Sequence, residues 1–111
     1  MSRRDRERLH DILEAIDDVR GHAMAADIAP ADVVRDAILY RLVVIGEAVR
    51  ALPDDLLARQ PGINWRGIGG LRNLLTHEYF RIDRRRIDDI VDAHLDPLQE
   101  AVSYLLAELE G

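Results

Sequence analysis

The sequence predicts an all-α protein, an up-and-down four-helix bundle with one short extra helix. Three observations carry that expectation. Apolar residues recur at three-and-four spacing near both ends of the chain, the signature of one-sided helices. A stretch between them, around positions 30–51, is apolar around most of its circumference, which suits a central helix. No segment alternates with the period of two that a half-buried strand requires. With 111 residues the chain makes one domain over positions 1–111, large enough for a core yet small enough to gain from association.

The first helix is expected from about Arg4 to Ala25, with Leu9, Ile12, Leu13, Ile16, Val19 and Ala23 on its inner stripe. Asp5, Glu7, Asp11, Glu14, Asp17 and Asp18 make a solvated outer face, and His10 and His22 fall at polar positions without metal-ligand spacing. Asp27-Ile28-Ala29-Pro30 ends this helix and begins a second, about Pro30 to Ala51. Its apolar residues, from Ala37 and Ile38 to Ala48 and Val49, can face the core and a partner at once, so a homodimer is expected. Arg41 and Glu47 interrupt them. Both could pair with neighbours, since buried charges are rarely left alone, or Glu47 could hold Arg72 or His77 in place. Gly46 would admit another backbone at close range.

Pro53-Asp54-Asp55 opens a short helical turn to about Arg59, and Gln60-Pro61-Gly62 breaks the chain. Trp65 is read as packing beneath the next helix, not as a base-stacking platform. Gly67, Gly69 and Gly70 follow no strand and lack phosphate-loop spacing, so they are read as sites of close helix contact. The next helix carries Ile68, Leu71, Leu74 and Leu75 as an apolar stripe, with Arg72, Asn73, Thr76 and His77 on the other side. Asn73 and His77 are neighbours at four-residue spacing, and Tyr79 joins them only if the helix ends near Glu78.

Arginine, asparagine, histidine and tyrosine leaving the core together are the groups a phosphodiester reaction would use. Imidazole exchanges protons near neutral pH, and guanidinium offers a planar fork to a phosphoryl group. No metal motif is present, and the chemistry calls for neither metal nor cofactor. A helix that merely ends in such residues without function remains the alternative.

Downstream, Arg81, Arg84, Arg85 and Arg86 put four arginines within six residues, with Asp83 placed to cap the last helix. They could receive backbone phosphate of a nucleic acid without sequence preference, or pair with Asp88, Asp89 and Asp92. The last helix is expected from about Arg84 to Glu110, with Pro97 kinking or splitting it near His94. His94-Leu95-Asp96 supplies two potential ligands, which is not a metal site.

Net charge is −6, which argues against a nucleic-acid binder held by bulk charge but not against a local basic site. All fifteen basic residues are arginine, a usage that reflects coding bias more simply than function. The absence of cysteine excludes disulfides, thiolate zinc sites and thiol nucleophiles. No signal peptide or membrane-length apolar run is visible, so a cytoplasmic protein with no membrane partner is expected.

Arg72-Asn73-x-x-x-His77-x-Tyr79 resembles the signature of the HEPN superfamily, specifically its small HepT-like ribonuclease toxins. Ile45-Gly46-Glu47-Ala48 resembles the family's second-helix segment, Ile63-Asn64-Trp65-Arg66-Gly67-Ile68 its approach to the motif, and Arg81-Ile82-Asp83 its exit. The resemblance covers about positions 36–95. It implies a metal-independent endoribonuclease whose active sites form between the motifs of two protomers. His77 would then handle a proton of the ribose 2′-hydroxyl or the leaving oxygen, Arg72 would stabilise charge at phosphorus, and Asn73 would orient His77 or the phosphate. The resemblance also implies a neighbouring MNT-type nucleotidyltransferase antitoxin that attaches AMP to Tyr79. The substrate would be RNA, with tRNA and mRNA the candidates. A non-catalytic helical module that binds a nucleotide or a partner is the alternative.

Overall fold

Ser2 opens the first helix, α1 (Arg3–Met24), through a reciprocal cap. Its hydroxyl accepts from the Asp5 N–H at 3.1 Å while its own N–H donates to the Asp5 carboxylate at 3.3 Å. The computed structural model describes residues 2–82 and 84–110, with Leu74, Leu75, Arg84 and Glu110 described as backbone alone. The expected cap at Asp83 lies outside the described residues.

A single 3₁₀ turn (Ala25–Asp27) reverses the chain into α2 (Ala31–Arg50), so the two helices run antiparallel. Pro30 occupies the N-cap of α2, where its missing N–H costs nothing. Leu9, Ile12, Ile16 and Val19 of α1 meet Ile38, Leu42, Ile45 and Val49 of α2 in the core. From the far side α6 (Arg84–Glu110) adds Ile87, Leu95, Leu98, Val102 and Leu105. Removing one of these side chains to alanine would cost about 2–5 kcal/mol, so the three long helices carry the fold. Across the α1–α6 seam, Arg20 donates to Asp96 at 2.7 Å and to Gln99 at 2.9 Å. Asp96 is thus an ion-pair partner of α1.

Of the kink or split expected at Pro97, the split does not occur: α6 continues through it to Glu110, as the expected bounds had it. Pro97 and Ala93, one turn earlier, both lie on the exposed side of the helix. The carbonyl that loses its N–H partner can therefore turn to water, and the packed face is spared.

The fourth layer departs further from expectation. It is three short helices, α3 (Asp54–Leu57), α4 (Trp65–Gly69) and α5 (Arg72–His77), followed by a 3₁₀ turn (Tyr79–Arg81). Ile68 and Leu71 therefore do not share one continuous helix with the motif. At the break the Gly70 N–H reaches the Arg66 and Gly67 carbonyls at 3.1 and 3.2 Å, and Leu71 N–H reaches Ile68 at 3.1 Å. These tighter bonds turn the chain at a place where three glycines make regular helix expensive, about 1 kcal/mol each relative to alanine.

All of these pieces rest on the long helices in one all-α bundle, whose 43 Å axis matches α6 at about 1.5 Å per residue. Among the described residues no helix is long and apolar enough to cross a membrane.

Candidate active site

The site begins with a glycine. A Cβ built on Gly46 would stand 2.9 Å from the Ile68 carbonyl oxygen and 3.5 Å from that of Gly69, so α2 touches the end of α4 backbone to backbone. A Cβ on Gly69 would likewise meet the Arg50 Cγ at 3.0 Å. This contact sets the start of α5 beside Glu47, one residue beyond Gly46. Arg72 Nη1 donates to Glu47 Oε1 at 3.4 Å, with the side chains 56% and 49% exposed. A pair that open contributes less than about 1 kcal/mol to stability. Its effect is to bias the guanidinium toward one position while leaving most of its donors in solvent.

Asn73 and His77 are exposed on the same six-residue helix. His77, at its C-terminal end, makes no hydrogen bond or ion pair with any described residue. Thr76, between them, turns its hydroxyl back onto the Arg72 carbonyl at 3.5 Å.

The helix ends at His77, the condition the sequence set for Tyr79 to join Asn73 and His77. Tyr79 then turns toward the N-terminal half of α2. Its hydroxyl donates to the Asp36 carboxylate at 3.1 and 3.2 Å, and Arg35 Nη2 donates to the phenol oxygen at 3.4 Å. The Arg35 guanidinium also lies 5.2 Å from the ring centroid, and Phe80 packs edge-on at 5.3 Å. The hydrogen bond to Asp36 leads the causes that raise the Arg35 pKa above its ordinary value. Asp36 and Arg35 were not singled out by the sequence; the bond joins residues 43 positions apart and no motif signals it.

Arg72 and Tyr79 thus meet α2 at Glu47 and Asp36, eleven residues apart, or about 16 Å along the axis. The motif lies along α2 and is held at both ends. Of the downstream arginines, Arg81 and Arg85 are exposed and unpaired among the described residues, while Arg86 donates to Glu78 at 3.3 Å. The Arg84 side chain is outside the described residues. Among the described residues there is no cluster of three or more potential metal ligands.

The profile of the family described as "Ribonuclease HepT-like" matches residues 9–105. Two proteins of Methanocaldococcus jannaschii, each named "Putative RNase", are similar along nearly the whole chain. One is 34% identical over 109 residues, 95% of this chain and 100% of its own length. The other is 32% identical over 108 residues, 93% of this chain and 88% of its own. A "Probable ribonuclease HepT" of Thermococcus cleftensis is 33% identical over 90 residues, 77% of this chain and 80% of its own. No solved structure matches. The profile match over most of the chain and these similarities show that the chain belongs to the HepT-like ribonuclease family of the HEPN superfamily.

Proposed function

We propose that this protein is a metal-independent endoribonuclease toxin, with Arg72, Asn73 and His77 as its catalytic residues. The observation that carries the proposal is a pair of groups at opposite ends of one short helix, in a chain of ribonuclease family. One is a guanidinium biased into place by Glu47, the other an exposed imidazole with no partner among the described residues. In RNA the ribose 2′-oxygen attacks the adjacent phosphorus as His77 handles the proton of the nucleophile or of the leaving 5′-oxygen. Arg72 can exchange its weak pair with Glu47 for phosphate and oppose the charge that builds there. Asn73 orients the imidazole or a phosphoryl oxygen. The products are a 2′,3′-cyclic phosphate and a 5′-hydroxyl. Arg81, Arg84, Arg85 and Arg86 supply sequence-independent backbone contacts.

A homodimer completes the reading. Val33 and Tyr40 on the outer face of α2 and Phe80 beside the motif are exposed apolar side chains, the last at 96%. They suit a second copy that would bring two motifs across one cleft.

Control falls to Tyr79. An MNT-type nucleotidyltransferase antitoxin would transfer AMP from ATP to its phenol oxygen with release of pyrophosphate, adding bulk and negative charge where RNA phosphate binds. The transfer also removes the proton that Tyr79 donates to Asp36, so the modified residue loses its tie to α2. The test is cleavage of RNA in EDTA by protein shown by mass spectrometry to carry no AMP on Tyr79. Cyclic-phosphate products are expected, and their loss after incubation with the cognate transferase and ATP, with the added mass on the Tyr79 peptide. No cleavage of varied RNAs, tRNA included, would favour the non-catalytic binding module instead.

A further inference from the structure

Two of the cavities on the described surface differ in their charge. The groove between α1 and α2, about 490 Å³, is lined by Asp11, Glu14, Asp18 and Glu47. Its two arginines are already committed, Arg8 to Asp11 at 3.4 Å and Arg41 to Asp18 at 3.3 Å. It would repel a phosphate.

The other cleft, about 710 Å³, lies between the C-terminal end of α2 and the α3–α4 corner. Arg50 and Arg66 line it against a single carboxylate, Asp54. Both arginines are exposed, and neither pairs with any described residue. In a chain of net charge −6 this is a local excess of unspent guanidinium.

Its floor is built. Trp65 lines the cleft with its indole N–H donated to the carbonyls of Leu57 and Gln60, both at 3.0 Å. The ring is therefore fixed, and its hydrogen-bonding edge is spent, so it offers the cleft only apolar ring surface. The close contact of Gly69 with the Arg50 stem brings α2 and α4 together at one wall. Asn73, a residue of the motif itself, also lines the cleft.

We propose that this cleft is a nucleotide subsite for single-stranded RNA, continuous with the reaction centre through Asn73. Arg50 and Arg66 each hold one backbone phosphate near the scissile bond, and the apolar wall at Trp65 receives a base or ribose. The volume falls within the range of small-ligand pockets, and an aromatic wall combined with basic side chains is the general means of holding single strands. The inference rests on the ribonuclease reading and adds two phosphate-binding residues to it.

Trp65 is the sole tryptophan, so its fluorescence reports occupancy of the cleft directly. The probe is a 2′-O-methyl oligoribonucleotide, which has no 2′-hydroxyl to attack. It is titrated into wild type and into an Arg50→Gln/Arg66→Gln variant, which keeps much of both aliphatic stems. Wild type is expected to show a saturable change in Trp65 emission. The variant is expected to bind roughly tenfold or more weakly, with a log–log salt slope shallower by about 1.4 for two lost phosphate contacts. Binding seen by anisotropy with silent Trp65 emission, or equal affinity and salt slope in the variant, overturns the subsite and leaves the ribonuclease reading standing. If wild type neither binds this probe nor cleaves RNA, both readings fall together.

Discussion

Replacing His77 with alanine is expected to reduce single-turnover RNA cleavage by about 10²–10⁴-fold, the range contributed by a positioned general acid or base. Thermal stability should stay within about 0.5 kcal/mol of wild type, because His77 is exposed and has no described hydrogen-bond partner to lose. The separation of those two effects is the point of the experiment. A variant equally stable and equally active would remove His77 from the mechanism. Arg72→Lys tests the neighbouring role in the same assay. It keeps the charge and loses the planar fork, and should not restore full activity if phosphate is held through two donors.

The second large effect is expected at Gly46, and it runs against helix propensity. Alanine is favoured over glycine inside a helix by up to about 1 kcal/mol. Here, however, the new methyl would stand 2.9 Å from the Ile68 carbonyl oxygen. A backbone oxygen cannot rotate aside as a side chain does, and such overpacking costs about 1–3 kcal/mol. Gly46→Ala should therefore lower the melting temperature and push the α4–α5 junction off α2. Activity should fall further than stability, because Arg72 moves away from Glu47. Gly21→Ala in α1 is the control, since a Cβ there would meet nothing within 4 Å. It should stabilise the protein by about 0.5–1 kcal/mol with no loss of cleavage. Matching melting shifts in the two variants would refute the close-contact account.

The three long helices were legible because their signal is local. The stripes through Leu9–Val19 and Ile87–Leu109 recur within each segment, and the structure places their ends within a residue or so of expectation. The broken fourth layer was not legible for the opposite reason. Ile68, Leu71, Leu74 and Leu75 keep helical spacing across Gly70, and the fit of Gly46 against Ile68 and Gly69 that accompanies the break belongs to a residue more than twenty positions away. Pro97 left a kink and a split both open, because its cost depends on whether the face it disrupts is packed, which spacing alone does not reveal.

At the site, Arg72, Asn73, His77 and Tyr79 could be named from a short motif, but what holds them could not. Glu47 was one of two open readings until the fold set it 3.4 Å from Arg72. Asp36 carried no signal at all. Arg50 and Arg66 are sixteen positions apart and acquire a common wall only when α4 docks on α2.

The brevity of α5 has a consequence for how the molecule fails. Six residues are too few to hold a helix in water without outside support, since nucleation costs more than one turn returns. The motif side chains are thus ordered by contacts at Gly46, Glu47 and Asp36, not by the element that bears them. Mild urea is expected to release this segment while the three long helices remain folded. Amide exchange in residues 72–77 should then run far ahead of exchange in α1, and cleavage should vanish at a denaturant concentration where helical circular dichroism is still intact.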